Sequence, residues 1–153
     1  MGLIELAGRT ALITGAAKRV GRSIALALGD RGVDIVVHYN TSKAQAQALV
    51  TELRSLGVEA WALEASLEDP AQIERMWKQA LERAPRGRIS MLVNNASIFN
   101  ADTLRSLDVQ SLDMNLSVNA LAPLRRWRLA LLVAVVLATL LVLWPGLDEL
   151  VLW

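Results

Sequence analysis

The sequence predicts an α/β fold: an open, doubly wound parallel sheet with helices on both faces. Three observations predict it. Short apolar runs alternate with segments whose apolar residues fall at helical spacing, which implies crossover connections and parallel pairing. Polar and glycine-rich turns cluster directly after the apolar runs, at the C-terminal ends of the expected strands. No low-complexity linker interrupts the alternation before residue 124.

The elements follow in order. "TALITG" (10–15) is apolar, partly β-branched and stopped by glycine, as a strand buried on both faces should be. In the next segment Val20, Ile24 and Leu28 lie one helical turn apart, and Gly32 closes it. "VDIVVHYN" (33–40) is a second buried strand. Ser42 is placed to cap a helix whose Leu49, Leu53 and Leu56 share a face and which Gly57 ends. "VEAWALEA" is a third strand, and Asp69-Pro70 supplies an N-cap followed by proline at the first helical position. Ile73, Met76, Trp77 and Ala80 form that helix's apolar stripe. "RISMLVNNAS" (88–97) is a fourth strand ending in a polar turn, and 108–123 is a further helix.

Composition narrows the class. A chain of 153 residues can bury one core. A net charge of +1 argues neither for a nucleic-acid footprint nor for an acidic tail, no nucleic-acid partner is expected, and with no cysteine there is neither a disulfide framework nor a thiolate metal site. No metal site is expected. The N-terminal residues lack the basic and apolar regions of a signal peptide, and Leu6 stands where a myristoylation signal requires Ser or Thr. A cytoplasmic location is expected. The hydrophobic fraction of 54% is high, and its excess lies after Trp127.

Three turns carry chemistry. "TGAAKRVG" joins the first strand to the first helix. Gly15 and Gly21 leave room for backbone amides to approach a pyrophosphate, Ala16 and Ala17 keep the loop slim, and Arg19 stands where such loops often have a middle glycine. A tight strand-to-helix connection is the alternative reading, which the repeated βαβ context disfavours. After the second strand, "HYNTS" (38–42) has no carboxylate to bind ribose hydroxyls. His38, Asn40, Thr41 and Ser42 are neutral, and Arg19 is expected nearby, so a 2′-phosphate and hence NADP(H) are favoured. After the fourth strand, "NNASIF" places Asn94 and Asn95 either to brace neighbouring strands and line a ribose or simply to form a polar turn.

Together these motifs resemble the short-chain dehydrogenase/reductase family, over roughly residues 6–124. The family's "TGxxxGxG" is present as Thr14 to Gly21, including Val20, and its "NNAG" as Asn94-Asn95-Ala96-Ser97. The departures at Arg19 and Ser97, giving "TGxxxRxG" and "NNASxF", resemble the pteridine reductase branch. That resemblance implies a Rossmann-type fold and assigns Arg19 to cofactor phosphate and pterin, Ser97 to a pterin hydrogen bond, and Phe99 to stacking on the pterin ring, with an apolar core role for Phe99 left open. It makes Asn119, in "SVNALAP", the catalytic asparagine, ahead of Asn115. It implies that Ser66 and Leu67 meet the adenine, although Ser66 stands where the family usually has aspartate, which predicts weaker binding. It also implies a small-molecule substrate and homo-oligomeric relatives.

The family's proton donor is a tyrosine followed four residues later by lysine. The one tyrosine here is Tyr39 and no lysine follows Lys78, so cofactor binding is expected and turnover is not. An NADP-binding portion is therefore assigned to 1–124 and an apolar tail to 125–153. Three readings of that tail compete. As a membrane anchor, the charge-free stretch Leu129 to Trp144 spans 16 residues, about 24 Å against a hydrocarbon layer of roughly 30 Å. Extension to Trp153 would bury Asp148 and Glu149, at about 3 kcal/mol each. A buried helix would need cover on every face. A frame change after residue 124 accounts for both the composition shift and the lost motifs, and is preferred. The functional expectation is an NADPH-dependent reductase of pteridine reductase type, present as a cofactor-binding fragment. The alternatives are a general ketone or acyl-thioester reductase and a non-catalytic, membrane-tethered nucleotide-binding remnant.

Overall fold

The computed structural model describes residues 5–98 and 108–124. In chain order it contains β1 (Thr10–Ile13), α1 (Arg19–Gly29), β2 (Asp34–Tyr39), α2 (Lys43–Ser55), β3 (Ala60–Glu64), α3 (Pro70–Arg83), β4 (Met91–Val93) and α4 (Val109–Leu116). A 3₁₀ turn at Pro85–Gly87 precedes β4, and α4 continues into a π-helical turn at Ser117–Leu121 and a last turn at Ala122–Leu124. Phe99 and the tail 125–153 lie outside the described residues, and so do the readings placed on them.

The strands pair in the order β3-β2-β1-β4, all parallel. Leu12 stands opposite Val36 on one side and Leu92 on the other, and Val36 opposite Trp61. This is the doubly wound arrangement that the alternation predicts. Successive strands are added outward from β1 to β3 on one side and β4 on the other, and this reversal of winding between β1 and β4 opens a crevice at the strands' C-terminal ends.

Because successive side chains of a strand face opposite ways, the sheet builds two cores. Ala11, Ile13, Ile35 and Val37 pack with Ala25 of α1 and with Leu49 and Leu53 of α2. Leu12, Val36 and Leu63 pack with Met76 and Ala80 of α3. All four residues of β1 are buried, as its uninterrupted apolar run requires.

Several expectations shift. The fourth strand is Met91–Val93, shorter than 88–97, and only half-buried. Among the described residues it pairs with β1 alone, so it is an edge, and beyond Val93 the chain bends toward Thr14. Ser42 holds the N-cap position of α2, but its side chain makes no capping bond. Its φ of −90° and ψ of 53° depart from the extended backbone that aims a hydroxyl at the following amides. Asp69 does cap α3: Oδ1 accepts from the amide of Ala71 at 2.8 Å and Pro70 follows at the first turn. Val20, expected on the apolar face of α1, is 64% exposed and stands on the rim of the crevice. Leu56 is also exposed, because it follows the last residue of α2 and leaves that helix's buried stripe.

Candidate functional site

A cavity of about 390 Å³ lies over the C-terminal ends of the strands, within the size range of small-ligand sites. Its wall is assembled from every loop on that side. The β1–α1 turn contributes Gly15, Lys18, Arg19, Val20 and Gly21; the end of β2 contributes His38 and Asn40. Ser66, Leu67 and Glu68 come from beyond β3, Asn95 to Ile98 from beyond β4, and Val118 from the π turn.

The β1–α1 turn fits a phosphate group by shape and by charge. A Cβ on Gly21 would come within 2.5 Å of both the Asn95 Nδ2 and the Gly15 carbonyl oxygen, and Gly15 has φ of +62°, with Ala96 Cα 3.0 Å from where its Cβ would be. Neither position tolerates a side chain. Helix α1 begins without a side-chain cap and without an acidic residue in its first turn, so its first amides remain available to an anion. Arg19 itself has φ of +50°, a left-handed backbone that costs a non-glycine residue about 1 kcal/mol. The place where related loops often carry glycine thus keeps the glycine conformation while carrying a guanidinium. Arg22 points elsewhere, paired with Glu52 of α2. Lys18 and Arg19 are therefore the cations of the cavity wall, and among the described residues neither is in an ion pair.

Two polar clamps hold this turn. From β4, Asn95 Nδ2 donates to the carbonyls of Thr14 (2.9 Å) and Gly15 (3.2 Å). The amides of Asn95 and Ala96 donate to Thr14 Oγ1 at 2.9 and 3.0 Å, and that hydroxyl donates to the Val93 carbonyl at 3.3 Å. From β2, His38 Nδ1 accepts from the Gly15 amide at 3.0 Å, and the His38 carbonyl accepts from the Ala16 amide at 3.0 Å. His38 Nε2 lies 3.1 Å from the Ala65 carbonyl. Burial holds the His38 ring below the ordinary histidine range, with the Ala65 bond opposing it. The imidazole is therefore neutral at neutral pH.

The sequence-predicted residues divide accordingly. Gly15, Arg19, Val20, Gly21, His38, Asn40, Ser66, Leu67, Ala96 and Ser97 converge on the cavity. Thr41, Ser42 and Asn94 do not line it; Asn94 faces a separate space of about 20 Å³ with Met76 and Pro123. Consecutive residues leaving a strand point to opposite sides, so Asn95 rather than Asn94 meets the turn. Ser66 Oγ accepts from the Glu68 amide at 3.3 Å, a bond within its own loop. Asn119 does not line the cavity, but it holds Ile98, which does: its Oδ1 accepts from the Ile98 amide and its Nδ2 donates to the Ile98 carbonyl, both at 3.0 Å. Asn115 is turned into its own helix, donating to the Ser111 carbonyl at 2.9 Å. Lys18, Glu68, Ile98 and Val118 were not singled out by sequence; only the neighbourhood of recognised motifs pointed to them. Tyr39 lies away from the cavity wall, its hydroxyl donating to Glu64 Oε2 at 3.1 Å; burial, then Glu64, raises its pKa. Among the described residues no helix is long and apolar enough to cross a membrane, and no acidic, histidine or cysteine cluster could hold a metal.

Known proteins share this fold. The family described as short chain dehydrogenase matches residues 9–133. A 3-oxoacyl-[acyl-carrier-protein] reductase, FabG, of Staphylococcus aureus is 35% identical over 111 residues, covering 72% of this chain and 44% of that protein. A short chain dehydrogenase from Burkholderia cenocepacia, solved in complex with NADP, superposes with a TM-score of 0.75 at 35% identity, covering 78% of this chain and 48% of that one. FolM alternative dihydrofolate reductase 1 from Brucella canis, complexed with NADP, gives 0.72 at 32% identity, over 78% of this chain and 48% of that one. The chain thus spans about half the length of the relatives it matches.

Proposed function

The chain belongs to the short-chain dehydrogenase family, and from that premise we propose that it binds NADP(H) as the dinucleotide-binding part of a reductase. One observation carries the reading: Lys18 and Arg19 flank a cavity to which the end of β2 brings Asn40 and neutral His38 but no carboxylate. A carboxylate there would favour ribose hydroxyls and repel a 2′-phosphate; two cations, unpaired among the described residues, favour the phosphate. The tight Gly15–Gly21 cradle and the uncapped start of α1 fit the pyrophosphate.

In this assignment α1, Lys18 and Arg19 hold phosphate, Asn40 meets the 2′-phosphate side, and Ser66 with Leu67 meets the adenine. Ala96 and Ser97 line the nicotinamide half. The bound dinucleotide would supply a hydride. The chain's own residues bind and orient it. Tyr39 donates to Glu64 and lies away from the cavity wall, so cofactor binding is the role assigned to the described residues.

Two substrate classes divide the finer reading. A pterin is favoured by Arg19 and Ser97, which stand on the same cavity, and by a relative named as an alternative dihydrofolate reductase. A ketone or acyl thioester is favoured by the acyl-carrier-protein reductase relative. Fluorescence titration with NADPH and NADH tests the cofactor: NADPH should bind at least about tenfold more tightly, and equal affinities would overturn the reading. Adding pterin or a β-ketoacyl thioester to the NADPH complex then separates the classes, since only the cognate one should perturb the nicotinamide emission.

A further inference from the structure

His38 lines the cavity, and both of its ring nitrogens are engaged inside the protein, joining three chain segments that meet there. It is 2% exposed. Nδ1 accepts the Gly15 amide at 3.0 Å, and Nε2 sits 3.1 Å from the Ala65 carbonyl. A carbonyl can only accept and an amide can only donate, so the partners dictate the tautomer: the proton is on Nε2 and Nδ1 is bare. A second proton on Nδ1 would confront the Gly15 N–H with another donor.

The Gly15 peptide has little slack to absorb that conflict. Asn95 Nδ2 holds the Thr14 carbonyl, the other end of the peptide that carries this N–H, at 2.9 Å, and the Gly15 carbonyl at 3.2 Å; the Gly15 φ is +62°, and its carbonyl oxygen lies 2.5 Å from where a Cβ on Gly21 would stand. Displacing Gly15 therefore pushes on the first turn of α1. We infer that His38 is a positioning residue for cofactor binding: its neutral ring fixes the Gly15 peptide, and protonating it loosens the phosphate turn. The inference rests on the dinucleotide reading of the cavity.

Burial agrees with this role by holding the ring neutral. The ionisable groups that share the cavity with the ring are Lys18 and Arg19 of the β1–α1 turn and Glu68 beyond β3. Glu64, next to Ala65, is bonded to Tyr39. Among the described residues the β1 and β4 ends bring Thr14 and Asn95, which do not titrate. The switch is therefore the imidazole itself.

The chain has a single histidine, so its ring signals are unambiguous in ¹⁵N NMR. On acidification of the wild type, Nδ1 should protonate below the ordinary histidine range, and the Gly15 amide resonance should move with the same midpoint. A Gly15 amide that does not follow the ring overturns the inference. Calorimetric titration with NADP⁺ gives the second readout. His38→Asn keeps an oxygen near Nδ1 and should bind within about threefold of wild type at neutral pH. His38→Gln keeps a donor near Nε2 but loses that acceptor, and should bind at least about tenfold more weakly, the factor expected when a buried amide loses its partner. Wild type should also lose more affinity on acidification than His38→Asn; the 2′-phosphate, with a pKa of about 6, titrates in both and cancels. Equal binding by the two variants, or equal acid sensitivity of wild type and His38→Asn, overturns the inference alone. Wild type that binds no NADP⁺ at neutral pH overturns the dinucleotide reading, and the inference with it.

Discussion

The side-chain amide of Asn119 exchanges two hydrogen bonds, both 3.0 Å, with the backbone of Ile98. It does so from the middle of a π-helical turn, Ser117–Leu121, a local widening of helices that recurs at functional sites. The widened turn also buries Val118 and brings it to the cavity wall. Asn119 thus ties α4 to the loop after β4 and sets one side of the cavity.

Removing half of that exchange is informative. Asn119→Asp can still accept from the Ile98 amide but sets a carboxylate against the Ile98 carbonyl. It should cost more stability than Asn119→Ala, which should cost about 1 kcal/mol. Urea unfolding of the two variants checks the order; equal costs would mean that the exchange contributes little.

Gly21→Ala puts a methyl group 2.5 Å from the Gly15 carbonyl oxygen and the Asn95 amide nitrogen. The first contact is with backbone and cannot yield cheaply. A loss of about 2–3 kcal/mol is expected, together with loss of NADPH binding. Thermal unfolding and fluorescence titration measure the two effects.

Arg19→Gly sets two terms against each other. Glycine relieves the left-handed strain of about 1 kcal/mol, while the freer unfolded chain removes about 0.4–1 kcal/mol. Stability should change little. NADPH affinity should nevertheless drop at least about tenfold, because a charged phosphate contact is lost. An unchanged affinity would remove Arg19 from the phosphate site.

Asn40→Asp introduces a carboxylate at the end of β2, on the cavity wall. NADPH should bind more weakly while NADH binds as well as or better than before, a reversal that parallel titrations would reveal. If both affinities fall together, Asn40 does not discriminate the 2′ position.

Stability should fall with acid in two stages. His38 is held below its unfolded value, so its contribution is complete above about pH 6.5. Below that, the unfolded chain takes up a proton that the fold refuses, and stability declines until the folded value is reached. Asp69 is also lowered, by the Gln72 side chain first and then the Ala71 amide. Its contribution is present above the ordinary carboxylate range and is lost as pH falls through the folded value, from about pH 4 downward. His38→Asn should erase the first stage and Asp69→Asn the second, in melting temperatures recorded against pH.

Much of this protein was determined locally. Apolar runs such as "TALI" and "DIVVHY" are strands because they are buried on both faces, and Asp69-Pro70 starts a helix because the carboxylate and the ring act on adjacent residues. Gly15 and Gly21 were legible because the turn itself asks for them, through the positive φ of Gly15 and the Gly15 carbonyl oxygen 2.5 Å from a Gly21 Cβ, although Asn95 and Ala96 close the same space from beyond β4. What the sequence could not decide is which polar side chain faces the cavity and which the protein. His38 and Asn95 lie 57 residues apart in sequence yet close on the same Thr14–Gly15 peptide, and strand order alone brings them there. Asn94 and Asn95 look alike as neighbours, and only the bend after β4 sends one to the turn and the other to the far side. Val20 fits an apolar helix stripe by spacing, but whether the sheet or the crevice lies beneath it depends on where α1 docks. Local chemistry sets what each residue can do; the sheet's pairing order sets what it meets.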